Sequence, residues 1–301
     1  MNDSLSIGIP SPTYRLPDTA QVGRVRLAVS NLERSVRFYL DVIGLALLKE
    51  SKGIAQLGVS KNGRVLLELE EIPGIKPVGR RSRLGLYHVA LLLPNRAALA
   101  SFMQHASQLG IPFGAADHLV SEALYFTDPD GLGVEVYADR NRDEWIVRDR
   151  EIIMDTKAIR SEDLRAISKE RWTGVPDQTK FGHIHFSVQD LRLAADFYHA
   201  ALGMDMMNWN FPGALFVAAG KYHHHVGLNV WSAGSPPASQ EESRLMFWEL
   251  QLPNEQELQN LVASMSAAGW NSKVKSGTPS TFTDPVGNAV MLTVGTPEKG
   301  S

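Results

Sequence analysis

The chain has 301 residues, with 30 Lys and Arg against 33 Asp and Glu, a net charge of −3 and no cysteine. Interspersed charges of both signs offer no extended basic field to a nucleic acid backbone. Without cysteine there are no disulfides, thiolate catalysis or zinc–thiolate sites, so any metal must be held by imidazole and carboxylate. The length suits two domains, and a small or neutral partner fits the charge. Met1 to Asp18 has no basic region followed by an apolar core, and no later run is apolar enough to cross a bilayer, so a cytoplasmic protein is expected.

After an N-terminal segment over 1–21, an alternating strand is predicted at Val25 to Val29. Asn31 caps a helix presenting Leu32, Val36 and Tyr39 at helical spacing, and Gly44 stops it. Three short strands follow, around Ala46 to Glu50, Ile54 to Val59 and Val65 to Glu70. The pattern starts again with a strand at Tyr87 to Leu93, a helix at Arg96 to Leu109, and strands at Leu124 to Thr127 and Gly133 to Tyr137 joined through Asp128-Pro129-Asp130-Gly131.

The second half of the chain repeats the first. Arg24 and His183, Phe38 and Phe197, and Gly44 and Gly203 are each 159 positions apart. Downstream, Phe126-Thr127-Asp128-Pro129 recurs as Phe282-Thr283-Asp284-Pro285, an offset of 156 after a short deletion. The expected architecture is α+β: four βαβββ modules in two tandem domains, 22–140 and 181–295. Between them, a linker over 141–180, helical in pattern around Ala158 to Glu170, is expected to lie across the surface.

Five of the nine histidines fall in two predicted strands of the stretch from Phe181 to Trp231: His183 and His185 in an alternating strand, and His223-His224-His225 before Val226 to Val230. Such a concentration points to a metal or acid/base site. The His triplet is read as part of the following strand, so that His224 and its two neighbours face opposite ways. His105 and His199 fall on helices and are expected to face solvent.

With Gly182-His183-Ile184-His185, Phe197-Tyr198, the His pair before Gly227-Leu228, and Tyr125 through Asp128-Pro129 to Glu135, the chain resembles the vicinal oxygen chelate superfamily. Within it, the two-domain extradiol catechol dioxygenases of bacteria are the group it is most similar to. The resemblance extends from Val22 to Val294. It implies mixed curved sheets forming metal-binding cups, each module offering one ligand from its first strand and another from its last. The first-strand positions are Arg24, His88, His183 and Phe247; the last-strand positions are about Glu68, Glu135, Leu228 or Asn229, and Met291. Only modules two and three, paired across the domain boundary, then yield a site: His88, Glu135 and His183, with His185, two residues on and facing the same way along the strand, the competitor that the family pattern places one pleat deeper. Arg24 is expected to pair with Glu68 in a dead cup made by modules one and four.

Two imidazoles and one carboxylate suit non-haem Fe(II), with Mn(II) possible and zinc not excluded. By resemblance, His224 aligns with the acid/base histidine of extradiol enzymes, Tyr125 with a tyrosine that hydrogen-bonds the substrate, and His118 with a substrate-side histidine, although its spacing to Tyr125 departs from the pattern. The implied reaction inserts both atoms of dioxygen into a small aromatic diol next to the diol. A glyoxalase-type isomerase or transferase, which tends to use a fourth protein ligand, and a non-catalytic aromatic-binding protein are the alternatives. Phe186, Trp209, Phe211 and Trp248 are candidate walls.

Overall fold

The computed structural model describes residues 7–79, 82–167, 170–272 and 279–295. In chain order, module one comprises β1 (Gln21–Val29), α1 (Leu32–Arg37), β2 (Ala46–Ser51), β3 (Ile54–Val59) and β4 (Arg64–Glu71). Module two comprises β5 (Gly85–Leu92), α2 (Arg96–Gln108), β6 (Gly114–Asp117), β7 (Ser121–Thr127) and β8 (Gly133–Asp139). The connecting segment holds the two-residue strands β9 (Val147–Arg148) and β10 (Glu151–Ile152) and helix α3 (Ser161–Ile167). This helix is shorter than the sequence pattern suggests, and residues 168–169 lie outside the described residues. Module three is β11 (Lys180–Ser187), α4 (Leu191–Ala195), β12 (Asp205–Asn208), β13 (Ala214–Ala218) and β14 (Val226–Asn229); module four is β15 (Arg244–Leu252), α5 (Glu255–Ala267), β16 (Thr281–Thr283) and β17 (Ala289–Val294).

Side-chain caps start the helices as the sequence predicts: the carboxamide of Asn31 accepts from the Arg34 amide, and the carboxylate of Asp190 accepts from those of Arg192 and Leu193. Beyond α1 and α4 the chain continues as one π-helical turn, Phe38–Ile43 and Asp196–Ala201. Gly44 ends the first of these turns at φ 89°, a conformation a side chain would strain.

The modules join across the two halves. β5 runs antiparallel to β11, so modules two and three form one 8-stranded sheet ordered β12-β13-β14-β11-β5-β8-β7-β6. Likewise β1 runs antiparallel to β15, and modules one and four share a 7-stranded sheet ordered β16-β17-β15-β1-β4-β3-β2. Within each module the first strand lies parallel to the last, which requires the helical crossover the sequence supplies. One apolar cluster, including Leu27, Leu57, Val134, Phe186 and Trp248, fills the space under the helices.

The repeated Phe-Tyr and Asp-Pro motifs tie the modules of each half together. Tyr39 donates to Asp128 Oδ2 at 3.1 Å and Tyr198 to Asp284 Oδ2 at 2.9 Å, both out of contact with solvent. Asp128 Oδ1 also accepts from the amides of Asp130 and Leu132, which shapes the turn between β7 and β8. Burial nevertheless pushes the Asp128 carboxyl up to about 7. A pKa above its unfolded value means that ionisation opposes folding: the stabilisation is complete below the unfolded pKa and is lost as pH rises through about 7. Asp128→Asn keeps an acceptor for the turn and stays neutral. Its stability relative to the parent is expected to improve by about 2 kcal/mol between roughly pH 5 and pH 8, read by urea denaturation. An unchanged difference across that range contradicts the assignment.

Candidate metal centre

The pairing of β5 with β11 decides what the larger sheet can do. It sets His88 on one half of the chain beside His183 on the other, with ring centroids 5.5 Å apart. The parallel pairing of β5 with β8 brings Glu135 alongside Ala90, two residues after His88. His88 Nε2 lies 2.9 Å and His183 Nε2 3.1 Å from the same carboxylate oxygen, Glu135 Oε2. All three side chains are buried, and one ligand atom from each falls within 4.8 Å of the others.

The electrostatics favour a cation here. Burial pushes Glu135 up, but the charges of His183 and His88 and the hydrogen bond to His183 outweigh it and hold the carboxyl well below the usual range. Burial also lowers His183, against the pull of Glu135, favouring the neutral imidazole that a metal requires. His88 Nε2 approaches the carboxylate without hydrogen-bond geometry, and His183 Nδ1 has no partner among the described residues. A divalent ion between these three donors would satisfy the convergent nitrogens and neutralise the buried carboxylate.

A cavity of about 500 Å³ opens over this cluster. His224 lines it, its ring centroid 4.1 Å from that of His183, and burial pushes its pKa well down. Tyr125 stands opposite Glu135 in the β7–β8 pairing. Burial, then the charge of Glu135, raises its phenol far above the ordinary value, so it remains a donor. His118 presents Nδ1–H to the Asp155 carbonyl at 2.8 Å and accepts from the Tyr125 hydroxyl at Nε2, 2.6 Å away.

Several placements differ from the sequence expectation. The His triplet precedes β14, so strand alternation does not govern it; His223 packs behind His224, and His225 Nδ1 accepts from the Ala219 amide. His199 is buried and bonded to the Met204 carbonyl at 2.7 Å. Of the proposed walls, Phe211 lines the cavity, Phe186 and Trp248 belong to the core beneath the sheet, and Trp209 packs against that core. Tyr87, Phe216 and Trp231 supply the missing aromatic walls. The connecting segment contributes directly: Met154 and Thr156 line the cavity, and the carbonyl of Asp155 orients His118. Those residues carry no recognisable motif, and their placement depends on tertiary packing.

Strand register also corrects the last-strand position of module three. The residue two beyond each first-strand position pairs with the last strand: Arg26 with Glu68, Ala90 with Glu135, His185 with Gly227, Glu249 with Met291. The counterpart of Glu135 is therefore Gly227, rather than Leu228 or Asn229. A Cβ at Gly227 would lie 2.9 Å from the His185 ring, so His185 occupies the space that a fourth ligand would need. In the other sheet Arg24 bonds Glu68 at 2.7 Å and Glu249 at 2.6 Å, and Arg26 also holds Glu68. A guanidinium there stands beside the equivalent carboxylate, as expected for the dead cup.

The family model for the Glyoxalase/Bleomycin resistance protein/Dioxygenase superfamily matches residues 21–136. A catechol-2,3-dioxygenase of Bacillus subtilis (strain 168) is 43% identical over 260 residues, covering 84% of this chain and 90% of the relative. The chain belongs to this superfamily. A putative dioxygenase of Bacillus subtilis has a similar fold at 11% identity, with a TM-score of 0.63 and coverage of 92% of this chain and 86% of that one. Glyoxalase I of Zea mays is similar at 16% identity and a TM-score of 0.56, with coverage of 91% and 92%. The superfamily fold thus accommodates differently named enzymes, and the side chains in the cup must distinguish them.

His183→Ala and Glu135→Ala are each expected to abolish retention of a divalent metal after desalting while leaving the circular dichroism spectrum unchanged. Full metal occupancy in either variant contradicts the ligand set.

Proposed function

We propose that the protein is an extradiol dioxygenase that cleaves a catechol next to its diol, using a metal held by His88, His183 and Glu135. The observation carrying this reading is the convergence of two buried imidazole nitrogens on one buried carboxylate, with a third histidine in ring contact behind them. The name of the 43% identical relative supports the same chemistry. An iron(II) ion, or manganese(II) in its place, would supply open coordination positions and the redox chemistry joining the diol to dioxygen.

The chain's own residues divide the remaining work. His224, kept neutral by burial, accepts a proton from a catechol hydroxyl and can return it to the opening ring. The Tyr125 hydroxyl stays protonated and gives its single proton to His118 Nε2, from which it can turn that proton to a substrate oxygen entering the cup. Phe211, Phe216 and Trp231 offer flat apolar walls to an aromatic ring and restrict water around it. Gly227 and the overlying His185 leave no fourth ligand at that position of the cup, which disfavours the glyoxalase-type alternative. A pure binding protein would have no use for an uncharged base beside the ligand cluster.

Protein reconstituted anaerobically with iron(II) is expected to turn catechol yellow with matching oxygen uptake on exposure to air. No colour and no uptake across a panel of substituted catechols contradicts the proposal. His224→Phe is expected to retain its iron while turnover falls at least about 100-fold. Unimpaired turnover in that variant would locate the acid/base group elsewhere.

A further inference from the structure

Asp139 closes β8 four residues beyond Glu135, outside the ligand cluster, where it lines a separate cavity with Arg142 and Lys180. Its Oδ1 lies 2.8 Å from His223 Nε2 and also accepts from the Tyr222 hydroxyl at 3.2 Å. His223 is completely buried, its ring 4.0 Å from Tyr222 and 5.2 Å from Trp145. On its other side, Nδ1 of His223 lies 2.7 Å from Nδ1 of His224. The carboxylate, two imidazoles and the cavity over the ligand cluster therefore form one continuous line.

Hydrogen-bond valence fixes the protons along this line. A carboxylate only accepts, so His223 carries its proton on Nε2, and a neutral ring then has a lone pair at Nδ1. The short contact between the two Nδ1 atoms needs one proton, and with a lone pair at His223 Nδ1 that proton belongs to His224. A neutral His224 protonated at Nδ1 has a bare Nε2, the nitrogen not engaged by His223. An acid/base histidine can remove a substrate proton only through such a lone pair, and the other tautomer would present an N–H instead.

We propose that Asp139 and His223 are positioning residues that hold His224 in its Nδ1–H tautomer and leave Nε2 free for the substrate. The inference rests on the reading of His224 as the acid/base residue. It assigns purposes to two side chains that touch neither the ligand cluster's carboxylate nor the cavity over it. It also explains why His223 faces away from that cavity.

The direct test is nitrogen NMR of histidine-labelled, zinc-loaded protein, which reads the tautomer without turnover. In the parent, His224 is expected to show a protonated Nδ1 and a bare Nε2. His223→Phe removes the acceptor at nearly constant volume and is expected to shift His224 towards the Nε2–H form. The iron-loaded variant should then lose about 10- to 100-fold in kcat with KM and iron content unchanged. His223→Gln, whose side-chain oxygen can accept from Nδ1–H, should recover most of that loss. A parent spectrum with Nε2 protonated overturns the proposal, whether or not the enzyme cleaves catechol. So does kcat within twofold of the parent in His223→Phe, or a fall in kcat that tracks loss of iron.

Discussion

The antiparallel pairing of β5 with β11 is the constraint on which the site depends. Each strand belongs to a different half of the duplicated chain, and neither half alone assembles the ligand cluster: His88 and Glu135 come from one, His183 from the other. The parallel β5–β8 ladder then fixes Glu135 beside them with no further adjustment. Burying a carboxylate in this position is costly unless positive charge or strong donors face it. The two imidazoles meet that need in part, and a divalent ion would meet it fully.

The two sheets are variations on one plan, and their differences are chemical. In the sheet of modules one and four, Arg24 and Arg26 satisfy Glu68 with covalently attached cations, and Glu249 balances Arg24 from the opposite module. In the sheet of modules two and three, His88 and His183 face Glu135 in an arrangement that could hold a metal ion. Guanidinium cannot lend a ligand lone pair, whereas neutral imidazole can. Substitution at equivalent strand positions therefore separates an ion-pair cluster from a donor set that could hold a metal, on one shared fold.

Repetition made much of this legible in the sequence. The constant offset between halves and the capping residues Asn31 and Asp190 follow local rules, so the modules could be anticipated, whereas the carboxylate and imidazole positions and the pairing of modules two and three were implied by the resemblance to the superfamily. The Phe-Tyr and Asp-Pro motifs drew attention as marks of resemblance, yet Tyr39 and Tyr198 use them to bind modules together. What escaped depended on register and tertiary contact. The position opposite His185 could be resolved to Gly227 only through the β11–β14 ladder, and the His triplet lies in a connection where strand periodicity does not apply. Asp155, Met154 and Thr156 reach the cavity because the segment between halves crosses it, something no local pattern encodes.

One divalent ion is expected to bind between the halves, at His88, His183 and Glu135. The most direct measurement is anomalous diffraction at the iron edge from crystals grown anaerobically with iron(II). It should give a single peak at about 2.0–2.2 Å from one nitrogen of each histidine and one oxygen of Glu135. A peak beside Glu68 and Glu249, or one coordinated by His185 in place of His183, would contradict it.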